Sequence, residues 1–257
     1  MSASAEFDGE VVSREQVREW EAKRGIRAIA TIRGHLGDEQ MLDVLSTAGI
    51  KGSEPDGLIE IREWLAVLKR EMGHDGIRAM MSGRTKRSTK GVKGVLALSR
   101  GRSILVTIDV VAEGIGGPGF LDWFMRTHDA DNEAEMLAAN PDHWLISRGA
   151  DGTQEVIETV GNAPLPSHIL IRFDDEELPA LPPDPSFPAQ LVGVARLPDG
   201  RVTGKVRHQF RDEGNGLRAR LGIEFPRAFP PWIRRAHRWH LACEFMNWIE
   251  SAARDRA

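Results

Sequence analysis

The sequence predicts an α+β fold in which an antiparallel sheet wraps one long C-terminal helix. Three features predict it: about six strand-like segments from Ser103 to Phe225, one long helical pattern from Pro230 to about Arg254, and helical periodicity in the first 95 or so residues. Two regions follow: residues 1–95, helical and ending in a basic linker, and residues 96–257, which carry the sheet and the long helix.

In the first region, Ser13-Arg14-Glu15-Gln16 has capping-box spacing and opens a helix in which Val17 and Trp20 share a face. Gly25 is expected to end it. A second helix is predicted from Asp38 to Ala48, with Gly49 at its C-cap. A third, from Pro55 to Met72, sets Leu58, Ile61, Leu65 and Leu68 on one side with Trp64 beside them. From Arg84 to Arg102 the chain is rich in Gly, Ser and basic residues. It has no interleaved aromatics to stack bases and no glycine spacing of a nucleotide loop, so it reads as a solvated linker.

In the second region, Ile104 to Val111 is a β-branched strand. Gly114 to Gly119 break it, and Phe120 to Thr127 form a short helix ending in His128. Asp151-Gly152 is a turn before the strand Thr153 to Val160, and Ser167 to Phe173 is the next strand. The Pro-rich piece from Leu178 to Pro188 is a loop. Gln190 to Leu197 turns at Pro198-Asp199-Gly200 into Val202 to Phe210, which turns at Gly214-Asn215-Gly216 into Leu217 to Phe225. In the last strand Leu217, Ala219 and Leu221 alternate with Arg218, Arg220 and Gly222, one face dry and one wet. Pro230-Pro231 introduces the final helix, whose inward half carries Ile233, His237, His240, Leu241, Glu244, Trp248 and Ser251.

The chain has 257 residues, with 34 basic against 38 acidic and a formal net charge of -4. That balance gives no overall drive toward nucleic acid or anionic membrane. No apolar run is long enough for a membrane span, and the acidic N-terminus lacks signal-peptide order, so a cytoplasmic location is expected. The single cysteine, Cys243, excludes a cysteine-based zinc site, and the absence of tyrosine removes the phenol as acid, base or anchor. A metal here would be held by histidine and carboxylate.

His240 and Glu244 are four apart and share a helix face directed at the sheet. Such a pair either hydrogen-bonds to itself or binds a divalent metal. Glu158 alternates with Val156 and Val160 and faces the apolar side if those valines are inward; Glu155 is its rival on the opposite face. His208 shares the side of Val202, Gly204, Val206 and Phe210, as a cavity base or a core histidine. His237 competes with His240 as a ligand or supports it, and His143 in Pro141-Asp142-His143-Trp144 is a lesser candidate at a cavity mouth. His35, His74 and His168 read as structural or exposed, and Asn132 as a substrate or solvent contact. Trp123, Phe124, Trp144, Phe173, Phe210 and Trp248 are available as apolar walls.

Asp122-Trp123-Phe124-Met125-Arg126-Thr127-His128, Glu158-Thr159-Val160-Gly161 and Trp239-His240-Leu241-Ala242-Cys243-Glu244-Phe245-Met246-Asn247 together resemble three segments of the 2,4-diacetylphloroglucinol hydrolases, a family that includes phloretin hydrolase. The resemblance spans roughly residues 95–257 with low identity between the motifs. It implies a Bet v 1-like helix-grip fold, here with a helical N-terminal extension, and zinc bound by His128, Glu158, His240 and Glu244. It implies hydrolysis of the carbon–carbon bond between a phenolic ring and an acyl group, so the partner expected is a small aromatic ketone or acylphenol. His208 and Glu158 are the residues expected to carry the chemistry. The family positions substrate with tyrosine hydroxyls, which this chain lacks, so recognition of the ring must differ. The alternatives are a metal-free small-molecule binding protein and a zinc-dependent cyclase or lyase acting on polyketide-like substrates. The N-terminal helices offer a homodimer surface, which exposure of Trp20 and Trp64 would favour.

Overall fold

The structure, a computed structural model, describes residues 2–7, 9–126, 130–173, 179 and 181–256. Among the described residues, nine strands and six helices follow in the order β1 (Ala3–Phe7), β2 (Glu10–Ser13), α1 (Arg14–Leu36), α2 (Asp38–Thr47), α3 (Leu58–Ser99), β3 (Ser103–Glu113), α4 (Gly117–Met125), α5 (Ala130–Ala138), β4 (His143–Arg148), β5 (Gln154–Glu158), β6 (Ser167–Arg172), β7 (Ala189–Arg196), β8 (Val202–Glu213), β9 (Gly216–Pro226) and α6 (Pro231–Arg254). All of these strands join one antiparallel sheet in the order β2-β1-β3-β9-β8-β7-β6-β5-β4. The sheet curves around α6, with α4 and α5 following its first long strand. This is the helix-grip architecture that the sequence predicts, with the helices α1–α3 preceding β3.

The alternation in β9 places Leu217, Ala219 and Leu221 in the core, while Arg218 and Arg220 lie on the other face and pair with Asp109 of neighbouring β3. The inward side chains of β3 and β9, Val110 and Leu217 among them, pack on Phe245 and Ile249 of α6. The second half of α6 has little wet surface: every residue from His240 to Ile249 is buried. The sheet covers one side and α1 part of the other, where Arg14 donates to Glu250 at 2.8 Å.

Three features of residues 1–102 differ from the sequence prediction. Residues 3–13 form β1 and β2 and extend the sheet beyond β3, so this part of the first region is strand. The helix beginning at Ser13 does not end at Gly25. It runs to Leu36, because Gly25 is where α1 crosses α3: a Cβ there would lie 2.2 Å from Cγ2 of Ile61. The basic stretch is not a linker. α3 breaks at Gly73 (φ 59°), next to the predicted end at Met72, and resumes as helix to Ser99, carrying Arg84, Lys86, Arg87, Lys90 and Lys93. A charged run has the composition of a linker, and only contact of its other face with the protein keeps it helical: Met81, Thr85 and Ser99 are buried.

The three helices enclose a second core, in which Ile29, Ile32, Trp64 and Leu68 pack against Trp144, Leu145 and Ile157 of β4 and β5. Trp64 is buried there and Trp20 packs half-buried on the main core, so neither is presented to a partner. Arg62 donates twice to the buried carboxylate of Glu21, at 2.6 and 2.7 Å, and also to Asn247 of α6 at 2.8 Å. The sequence prediction includes neither α5 nor β4, which lie between His128 and the Asp151-Gly152 turn. The Pro-rich segment is loop where it is described, as expected; Leu178 lies outside the described residues.

Gly25→Ala tests the helix crossing. The added methyl gains up to about 1 kcal/mol of helix propensity, but overpacking against Ile61, whose β-branched side chain is held to one rotamer in a helix, costs roughly 1–3 kcal/mol. The expected outcome in denaturant unfolding is a net loss of about 1–2 kcal/mol; a stabilised variant would show that the helices separate freely.

Candidate metal centre

Four side chains from three elements converge on the concave side of the sheet: His143 opens β4, Glu158 closes β5, and His240 and Glu244 lie one turn apart on α6. One ligand atom from each lies within 4.8 Å of all the others. The β4–β5 hairpin pairs His143 directly with Glu158, and Gly161 then brings the chain against α6. Gly161 has φ 54°, and a Cβ there would come 2.8 Å from the amide nitrogen of His237. A side chain at that position would push the end of β5, and Glu158 with it, away from the helix.

The contacts inside the cluster are short. His143 Nε2 lies 3.0 Å from Glu244 Oε2 and 3.9 Å from Glu158 Oε2; His240 Nε2 lies 3.3 and 3.6 Å from the same two oxygens. The other nitrogen of His143, Nδ1, is 3.1 Å from the carbonyl of Met136, and since a carbonyl only accepts, Nδ1 must donate. A neutral His143 therefore directs the lone pair of Nε2 at carboxylate lone pairs. Only a proton or a metal cation makes that contact attractive. Both nitrogens of His240 are buried without a hydrogen-bond partner of acceptable geometry. With bond lengths of about 2.0–2.2 Å, the ligand atoms of a tetrahedral zinc site stand roughly 3.3–3.6 Å apart. The cluster's nitrogen–oxygen separations bracket that range, and its donor set of two imidazoles and two carboxylates fits a divalent metal.

The electrostatics of the cluster are those of charges forced together out of water. Burial alone would lower the His240 imidazolium, but Glu244 and Glu158 outweigh it and push it up to about 10. Burial raises the Glu244 carboxyl, and the histidines His240 and His143 more than reverse this, holding it far below the ordinary carboxylate range. Glu158 is lowered in the same way, burial being outweighed by His240 and His143. Two further histidines adjoin the cluster. His237 stacks on His240 with ring centroids 4.9 Å apart, and burial pushes it down to about 4. His208 meets the edge of Phe245 at 5.0 Å, and burial pushes it down to about 4 as well. Both are neutral imidazoles near pH 7, and among the described residues neither Nδ1 has a partner.

The cluster forms part of the wall of a cavity between the sheet and α6, with about 1160 Å³ of empty volume that is partly open to solvent. Its apolar wall includes Phe124, Phe173, Phe245 and Trp248. His208, Val206 and Gly204 line it from β8, as the strand alternation predicts, Val156 and Glu158 do so from β5, and Val160 from just beyond its end. Glu155, on the opposite face, pairs instead with Arg78 and His168. Three of the six expected wall aromatics lie elsewhere. Trp144 faces the helical core, Trp123 donates its indole N–H to Asp255, and Phe210 is enclosed in the main core. Asn132 contacts neither substrate space nor solvent: it is buried and donates to the carbonyl of Trp123.

Of the four ligands implied by the resemblance, Glu158, His240 and Glu244 come together here, while His128 lies outside the described residues. The cluster's second imidazole is His143, which the sequence placed only at a cavity mouth. A signal for it was present. A hairpin centred on the Asp151-Gly152 turn sets the residues near 143 opposite Glu158, so His143 was the histidine within cross-strand reach.

No protein-family model matches the chain, and no curated protein does. Solved structures similar to it include Ara h 8.0201 (9% identity, covering 59% of this chain and 96% of that one, TM-score 0.36). An uncharacterized protein from Rhizobium leguminosarum is another (11%, 60% and 96%, TM-score 0.37), as is protein Ms6760 from Mycobacterium smegmatis (14%, 58% and 86%, TM-score 0.29). Likenesses at this level say nothing of ligand or activity.

A metal ion and a proton compete for His240 below about pH 10, so raising the pH must favour the metal. Zinc affinity, measured by chelator competition, is expected to rise about tenfold per pH unit between roughly pH 7.5 and 9, with about one proton released per ion. An affinity flat over that range would show that the free site holds no such proton.

Proposed function

We propose that this chain is a zinc-dependent hydrolase that cleaves the carbon–carbon bond between a phenolic, phloroglucinol- or polyketide-like ring and its acyl group. The observation that carries this reading is the buried His143–Glu158–His240–Glu244 cluster in the wall of an aromatic-lined cavity. The resemblance to the 2,4-diacetylphloroglucinol hydrolases supplies the reaction. Two carboxylates and two imidazoles suit zinc. When bound, zinc supplies Lewis acidity toward an acyl carbonyl and lowers the pKa of water.

The protein's own groups account for the remaining needs of the reaction. The rings of Phe124, Phe173 and Trp248 exclude water and hold a flat aromatic ring. His208, neutral and buried in the cavity wall, is the protein group placed to relay the proton of a ring hydroxyl to the ring carbon that bears the acyl group. Water adds its oxygen to the acyl carbon, the bond between acyl and ring carbons breaks with its electron pair left on the ring, and the proton released by the water restores the ring hydroxyl. The products are a carboxylic acid and the deacylated phenol. In place of tyrosine, Gln154 and Ser167 offer an amide and a hydroxyl to the ring oxygens; Ser167 stands directly across from Glu158 in the β5–β6 register. His237 keeps the His240 ring in place by stacking.

Metal analysis of protein purified without added metal tests the reading. About one zinc per chain is expected, lost in His143→Ala, His240→Ala and Glu244→Gln variants that keep their circular dichroism. Acid release from a panel of acylated phenols should then follow zinc content. His208→Asn should lower kcat by about 100-fold or more without loss of zinc, the scale of a removed acid–base group. No uptake even after reconstitution with zinc would leave the cavity as a small-molecule binding site. Zinc retained with no acylphenol cleaved would favour a cyclase or lyase.

A further inference from the structure

His143 begins a strand, and strand ends fray unless something fixes them. The segment from Asn140 to His143 is buried at every residue and is gripped by three helices. From α1, Arg24 makes a bidentate ion pair with Asp142, at 2.7 Å to each oxygen. From α6, the carbonyl of His240 accepts from Asn140 Nδ2 at 3.3 Å, while Asn140 Oδ1 accepts from the Asp142 amide at 3.0 Å. From α3, Lys69 Nζ donates to the carbonyl of Pro141 at 3.1 Å and to that of His143 at 2.5 Å.

Lys69 is the unexpected member. It is 5% exposed, its surroundings include Leu65, Leu68 and the ring of Trp144, and burying an amine there is costly. A methionine would fill the same space without that cost. What the lysine adds is a pair of directed hydrogen bonds to carbonyls that flank the backbone of Asp142 and His143, one of them the carbonyl of His143 itself. The direction of the His143 side chain follows from that backbone, and Met136 then fixes the ring.

We propose that Lys69 is a positioning residue for His143, and that through it the helical layer α1–α3 forms part of the metal centre. This rests on the reading of the four-residue cluster as a metal site. Groups that orient a metal ligand without touching the ion change affinity by about 10–100-fold when removed.

The test is zinc affinity of the full chain by chelator competition, with circular dichroism and thermal melting of the metal-free protein as the control for folding. Lys69→Met is expected to weaken zinc about tenfold, and Lys69→Arg, which keeps N–H donors, to restore most of the loss. In a His143→Ala background, which does not retain zinc on purification and is therefore read by titration with added zinc, Lys69→Met should change the weak residual affinity by less than about twofold, because its route to the metal is gone. A folded Lys69→Met protein that binds zinc within twofold of the wild type would overturn the proposal, as would an equal loss in both backgrounds. If Lys69→Met does not fold, Lys69→Gln, whose shorter side chain carries an uncharged amide, carries the same comparison and the same limits. Wild type that takes up no zinc overturns the metal reading and this inference together; wild-type uptake unaffected by Lys69 overturns this inference alone.

Discussion

Two carboxylates buried against two imidazoles set the terms for the rest of this structure. Taken out of water singly, Glu158 and Glu244 would each cost several kcal/mol. Placed together with no cation between them, they would also repel. The cluster is tolerable only if its positive partners are held at hydrogen-bonding or metal-ligating distance. Here the separations between nitrogen and oxygen run from 3.0 to 3.9 Å. The packing around the cluster therefore has to keep three elements in fixed relation: the start of β4, the end of β5 and the middle of α6.

The sheet supplies two of them through register. Antiparallel pairing puts His143 opposite Glu158, and the close approach of Gly161 to α6 sets the distance from hairpin to helix. The third element is held by burial on nearly all sides. The sheet covers the face of α6 that carries the cluster, and α1 reaches its far side through Arg14 and Glu250. The helical layer is linked to both: it packs on Trp144, Leu145 and Ile157 of the hairpin and bonds through Arg62 to Asn247 of the long helix. Its second core lies directly behind the strands that carry the ligands. A change in how α1 crosses α3 is therefore felt at the cluster, though no helix residue of that layer belongs to it.

The cavity shows the same division of labour. Alternation along β5 and β8 aims Glu158 and His208 inward, and their neighbours on the other face serve different ends, as Glu155 does with Arg78. Apolar walls and neutral imidazoles adjoin the cluster, and Gln154, Ser167, Lys205 and Glu224 add further polar groups to the lining. Such a site favours a ligand with a flat apolar body and oxygen atoms at one edge.

Much of this was legible in the sequence where periodicity is local. The inward faces of β5, β8 and β9 follow from alternation by two, and the pairing of His240 with Glu244 on one face follows from a spacing of four in a helix. Composition alone excluded a cysteine-based metal site and a tyrosine anchor. What the tertiary structure decided was what depends on distant partners. The Arg84–Arg102 stretch is helix as far as Ser99 because its uncharged side meets the protein, Gly25 continues a helix because α3 crosses there, and residues 3–13 are strand because β3 offers them an edge. His143 joined the cluster for the same reason. Its place is fixed by hairpin register, which the Asp151-Gly152 turn foreshadows, and by side chains from helices more than seventy residues away in sequence, of which local pattern carries no record.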